Sequence, residues 1–152
     1  MSGRATRRSE APFAGRCHCG NIEVALETEL RPEQLRLRAC TCSFCRRHGA
    51  RTASDPAGRV RITVHHSEEL LCYRFGLRTA DFLVCRRCGI YVAAVMTEGG
   101  SAWATLNVNV LDAVDRLAQS ATPVTYDGES VAGRAARRKE CWTPAVIVEE
   151  RR

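Results

Sequence analysis

Cys17-His18-Cys19-Gly20 near the start, and Cys85-Arg86-Arg87-Cys88-Gly89 beginning 66 residues after Cys19, decide how this chain folds. Each cysteine pair runs into a glycine, the residue that lets backbone turn tightly around a metal. Four thiolates converging from two short knuckles make the closed tetrahedral shell of a structural zinc site. A zinc ion at Cys17, Cys19, Cys85 and Cys88 would tie together distant parts of the chain. Binding free energies of about 10–16 kcal/mol in small zinc peptides make such a tie a folding determinant. The alternative is two pairs of buried, unligated cysteines, each flanked by glycine through chance.

Outward from the knuckles the hydrophobic pattern has the period of strands. Ile22, Val24 and Leu26 alternate with Glu23, Ala25 and Glu27. Leu35, Leu37 and Ala39, then Val60, Ile62 and Val64, then Leu71, Tyr73 and Phe75 repeat the alternation, with a turn expected at Gly76. Further strands are expected at Phe82–Cys85, over Ile90 to Met96 up to Gly99-Gly100, and from Trp103 to Val110. Helical signal is confined to Leu111–Leu117 and Val131–Lys139. Many short strands between Gly, Pro and polar breaks give a mainly β fold class with few short helices. The knuckles enclose most of the patterned chain and no internal linker interrupts it. The expected organisation is therefore a basic, disordered lead-in over residues 1–12 and one small zinc-stapled domain over 13–150.

Composition narrows the setting. The 152 residues include nine cysteines, an odd number that fits a complete disulfide framework poorly. Clustered thiols of this kind point to metal binding in a reducing cytoplasm. The start is polar and basic, without the apolar core of a signal peptide, and no apolar run is long enough for a membrane span. The net charge of +6 arises largely at the ends, from Arg4, Arg7 and Arg8 and from Arg134, Arg137, Arg138 and Lys139. A solvated basic surface that attracts small acidic ligands accounts for this balance more simply than nucleic acid does.

Cys40-Thr41-Cys42-Ser43-Phe44-Cys45 is a different kind of cluster, with three thiols on one tight loop and no fourth cysteine to match. Cys72, within a strand pattern, and Cys141, before Trp142, lack pair partners and read as ordinary buried or partly buried thiols. Three protein ligands and one open position are the pattern of a reactive zinc site. His48, three residues after Cys45, is the residue that could instead close the shell and make a second structural site; His18, His65 and His66 read as surface or hydrogen-bonded histidines. With three thiolates the centre carries a net negative charge. It polarises carbonyls poorly, but suits a soft fourth ligand such as a substrate thiolate. Arg46 and Arg47 follow at once and could receive the carboxylates of an acidic thiol, or could merely offset the anionic cluster. Phosphate-loop, nucleophile-elbow and His-Glu helix signatures are missing.

Taken in order, the motifs resemble the glutathione-dependent formaldehyde-activating enzyme family, whose domain is shared with centromere protein V. The resemblance runs from Gly15 to Asp112. It comprises Gly15-Arg16-Cys17-His18-Cys19-Gly20, Cys40 to Ala50, Tyr73-Arg74-Phe75-Gly76, Phe82 to Gly89 and Leu106-Asn107-Val108-Asn109-Val110-Leu111-Asp112. It implies coiled β-hairpins with two zinc ions, a structural one on Cys17, Cys19, Cys85 and Cys88. The second, on Cys40, Cys42 and Cys45, would be the place near which the glutathione thiol acts. It further implies a carbon–sulfur lyase-type reaction joining glutathione and formaldehyde as S-(hydroxymethyl)glutathione. Thr41 departs from the histidine or asparagine of many relatives, which leaves the metal ligands intact and bears on the substrate. The expectation is a zinc-dependent enzyme acting on a small thiol and an aldehyde. Its rival is a non-catalytic zinc scaffold binding protein or nucleic acid through its basic surface. The fourth ligand at the second site separates the two.

Overall fold

The computed structural model describes residues 13–150; the expected lead-in over 1–12 lies outside them. The described chain is mainly β. In order, its strands are β1 (Phe13–Arg16), β2 (Ile22–Glu27), β3 (Arg38–Cys40), β4 (Thr52–Ala53), β5 (Arg59–Val64) and β6 (Leu70–Tyr73). They continue with β7 (Asp81–Cys85), β8 (Tyr91–Glu98), β9 (Ser101–Asn107), β10 (Thr122–Val124) and β11 (Thr143–Glu149). Two α-helices, α1 (Ser43–His48) and α2 (Val131–Cys141), interrupt them.

Two of the alternating segments behave as their period requires, whereas at Leu71, Tyr73 and Phe75 the strand ends at Tyr73, which is exposed. Ile22, Val24 and Leu26 are buried while Glu23 and Glu27 face water, and Val60, Ile62 and Val64 are buried on the partner strand β5. Val24 pairs with Ile62 and Leu26 with Val60, so both inward rows meet in one core with Phe13, Leu37 and Leu106. β8 is buried without alternation from Tyr91 to Met96, because both of its faces are covered. Ala93 and Val95 face the main core, while Ala94 and Met96 face Trp142 at the end of α2.

Successive antiparallel hairpins β6–β7–β8–β9 make one arm of the sheet. The β1–β2–β5 arm joins them through β11, which lies parallel to β5 and antiparallel to β9. β3 is held by β4 on one side and, in parallel, by β10 on the other. At Gly15 the β1 backbone bridges to Leu111, and a Cβ there would sit 2.1 Å from the Val110 carbonyl oxygen. Only glycine allows that approach.

Several elements differ from the pattern reading. Leu35 and Leu37 are buried, but the strand starts at Arg38, after a 3-10 turn over Pro32–Gln34. β9 stops at Asn107, where the Asn107 side chain accepts from the Asn109 amide and opens a 3-10 turn over Val108–Val110. The expected helix at Leu111–Leu117 is a 3-10 turn over Val114–Arg116, and the one at Val131–Lys139 is present and runs to Cys141. α1, β1, β4, β10 and β11 have no counterpart in the pattern. Among the described residues, no helix is long and apolar enough to cross a membrane.

Candidate metal centres

The first knuckle is the β1–β2 turn and the second is the β7–β8 turn. The Cys17 amide donates to the Ile22 carbonyl and the Gly20 amide to the Cys17 carbonyl, closing the first loop. The Cys85 amide donates to the Ile90 carbonyl and the Gly89 amide to the Cys85 carbonyl, closing the second in the same way. Gly20 and Gly89 take φ of +84° and +77°, a region that L side chains avoid. The four sulfurs of Cys17, Cys19, Cys85 and Cys88 lie within 4.8 Å of one another. Cys17 and Cys19 sulfurs are 3.8 Å apart, and Cys19 and Cys85 sulfurs 3.5 Å. Tetrahedral zinc with Zn–S near 2.3 Å requires edges of about 3.8 Å, so the donor set fits such an ion.

Protonation at this cluster is divided. Burial pushes Cys85 up to about 12 and raises Cys17 as well. Burial also works against the Cys88 thiolate, but the Cys19 and Ile90 amides and the Cys85 and Cys17 thiols outweigh it and bring Cys88 to about 6. Collecting further thiolates here requires a cation.

The second cluster is assembled by a strand end and a helix start. Cys40 ends β3, Cys42 is the N-cap of α1, and Cys45 lies one turn in, donating its amide to the Cys42 sulfur at 3.4 Å. Their three sulfurs also lie within 4.8 Å of one another, with no fourth metal-binding group among the described residues. Hydrogen bonding to Cys45 is the main cause that brings Cys40 down to about 5, against its burial and with help from the Arg137 charge. The same contact, with burial, pushes Cys45 up. This cluster too can hold a metal ion, with one position left to another ligand.

α1 is too short to be stable alone, and Phe44 anchors it. Its ring packs 4.9 Å from both Phe82 and Tyr91, 5.2 Å from Phe75 and 5.8 Å from Tyr73, centroid to centroid. His48 packs against Phe44 with ring centroids 4.5 Å apart and is exposed, outside the three-thiol group. Asn107 and Asn109 brace the assembly: Asn107 donates to the Tyr91 carbonyl and Asn109 to the Gly49 carbonyl at the end of α1. Tyr91 is fully buried beside the thiols. Its phenol is pushed well up, first by burial and then by the charges of Cys45, Cys40 and Cys42, so it stays protonated and can donate.

Two cavities meet at the three thiols. The smaller, about 70 Å³, lies between Arg38, Cys45, Tyr91, Arg138 and Trp142. The larger, about 630 Å³, opens past Cys40 and Cys42 between Phe75, Tyr126, Arg134 and Arg137. Arg46 and Arg47 line neither, and both are exposed. Cys42 and Cys45 share one face of α1, and residues one and two positions beyond Cys45 point elsewhere. Arg134, Arg137 and Arg138, expected on a solvated surface, instead turn inward over the cavity, with Arg138 only 6% exposed. Cys72 is exposed on the edge strand β6 instead of buried, and Cys141 is half-buried.

The family described as glutathione-dependent formaldehyde-activating enzyme matches residues 12–127, three-quarters of the sequence and both cysteine clusters. The chain belongs to that family. A crystal structure of a Rhodobacter sphaeroides protein is also similar, at 37% sequence identity and a TM-score of 0.52. The similarity covers 73% of this chain and 98% of that one. The family match ends before α2 and β11, so the helix that brings Arg134, Arg137 and Arg138 over the thiols lies beyond it.

Proposed function

We propose that this protein is a zinc-dependent carbon–sulfur lyase-type enzyme that joins glutathione and formaldehyde as S-(hydroxymethyl)glutathione at Cys40, Cys42 and Cys45. Family membership supports the chemistry. The observation that carries it to this site is a three-thiol cluster with an open position at the floor of a cavity. The four-thiol cluster has every corner of a tetrahedron filled by protein, which suits a structural ion. A cytosol that keeps thiols reduced suits both sites.

Zinc held at the three-thiol cluster would favour the thiolate form of a thiol that reaches it. In the reaction a carbon–sulfur bond forms at the carbonyl carbon while the carbon–oxygen double bond becomes single. The thiol proton ends on oxygen, and nothing is oxidised or reduced. The chain would hold the metal through three sulfurs, against which Phe82 and Tyr91 pack. Tyr91, kept neutral, is one group able to donate a hydrogen bond beside the cluster.

Exchange spectroscopy with 13C-formaldehyde and glutathione tests the reading. The exchange rate into S-(hydroxymethyl)glutathione should rise in proportion to added protein, and Cys42→Ser should remove the increment. No increment with wild-type protein carrying both metal ions would favour the rival scaffold.

A further inference from the structure

The three arginines of α2 occupy an unusual setting. Glu129 accepts from Arg134 Nε at 3.2 Å and from Arg137 Nε and Nη2 at 2.8 and 3.1 Å. The Arg137 guanidinium also lies 3.5 Å above the Tyr126 ring. Arg138 donates Nη1 to the Thr79 side chain and carbonyl at 2.9 and 3.3 Å, and lies against Trp142. One carboxylate thus serves two guanidinium groups, and a third has only neutral partners.

Two donors are left over. Arg137 Nη1 and Arg138 Nε are buried without a hydrogen-bond partner among the described residues. Leaving a charged donor dry and unmatched is costly, and such atoms in a native fold call for a partner. Burial, and then the charges of Arg137 and Arg134, pull Arg138 down to about 10. An anion would relieve both the desolvation and the repulsion. Both residues line both cavities beside the three thiols.

We infer that Arg137 and Arg138 form an acid-recognition site that holds a carboxylate of the thiol substrate. The inference rests on the proposed use of the three-thiol site and assigns the acid anchor to α2, outside the family match, instead of to Arg46 and Arg47. A guanidinium is suited to this task because its planar fork meets carboxylate oxygens with directed donors.

Calorimetry on the full-length zinc-loaded protein separates this site from metal ligation. S-methylglutathione keeps the carboxylates and has no free thiol. It should bind wild type, and Arg137→Gln should weaken it about tenfold or more, the loss of one charge-assisted hydrogen bond. Arg46→Gln should leave it unchanged. On wild type, 3-mercaptopropionate should bind about tenfold more tightly than its amide, which needs no variant to fold. Equal affinity of acid and amide overturns the inference. So does equal binding of S-methylglutathione to wild type and to an Arg137→Gln protein with native circular dichroism. Glutathione binding no more tightly than S-methylglutathione would remove the metal-ligation reading while leaving the acid site standing.

Discussion

The Cys19 and Cys85 sulfurs lie 3.5 Å apart although 66 residues separate them in the chain. Their contact joins the β1–β2 turn to the β7–β8 turn, which belong to different arms of the sheet. A metal ion at this point therefore closes most of the domain. Cys88→Ser should lower thermal stability throughout the domain, because metal-binding energy of about 10 kcal/mol or more rivals the whole stability of such a fold. Cys42→Ser should loosen α1 and leave the main core nearly as stable. Thermal unfolding followed by circular dichroism separates the two, and equal losses would mean that both sites are structural.

Metal content should be close to two zinc ions per chain after purification under reducing conditions. The second ion should leave first on chelation, because its cluster supplies three sulfurs where the other supplies four. Elemental analysis during a chelator titration reads the order directly. Simultaneous loss would contradict the division.

Gly15→Ala should destabilise by about 1–3 kcal/mol through overpacking. Its Cβ would meet the Val110 carbonyl oxygen, and neither backbone can yield without opening the bridge to Leu111. Urea denaturation measures the loss. An unchanged midpoint would show that the β1 approach is looser than described.

His65 should make stability pH-dependent. Its ring nitrogens lie 2.7 Å from Glu150 and 3.0 Å from Glu23, and those carboxylates raise its pKa. A raised histidine contributes in full below its unfolded value of about 6.5, and the contribution is lost as pH rises through the folded value. His65→Gln should therefore cost more stability near pH 5.5 than near pH 9, and added salt should shrink the difference because the site is partly exposed. A cost independent of pH would contradict this.

Sequence reading recovered what period and spacing encode. Alternation at Ile22–Leu26 and Val60–Val64 found the first arm, and paired cysteines before Gly20 and Gly89 found the four-thiol cluster. It did not find β11, where Ala145-Val146-Ile147-Val148 is an unalternating apolar run behind Pro144. It also missed α1, whose six residues are fixed by the Cys42 cap and by Phe44 packing on distant rings, not by helical periodicity. The basic run in α2 resembled a solvated face. Only the fold shows that Glu129, Tyr126 and Thr79 turn its arginines inward.

A substrate thiol should complete the coordination at Cys40, Cys42 and Cys45. Zinc-edge X-ray absorption on protein carrying both ions tests it most directly. Without glutathione the mean number of sulfur ligands per zinc should fall between three and four. With glutathione it should reach four, and S-methylglutathione should leave it unchanged. A count of four before any thiol is added, or no change on adding glutathione, would contradict the account.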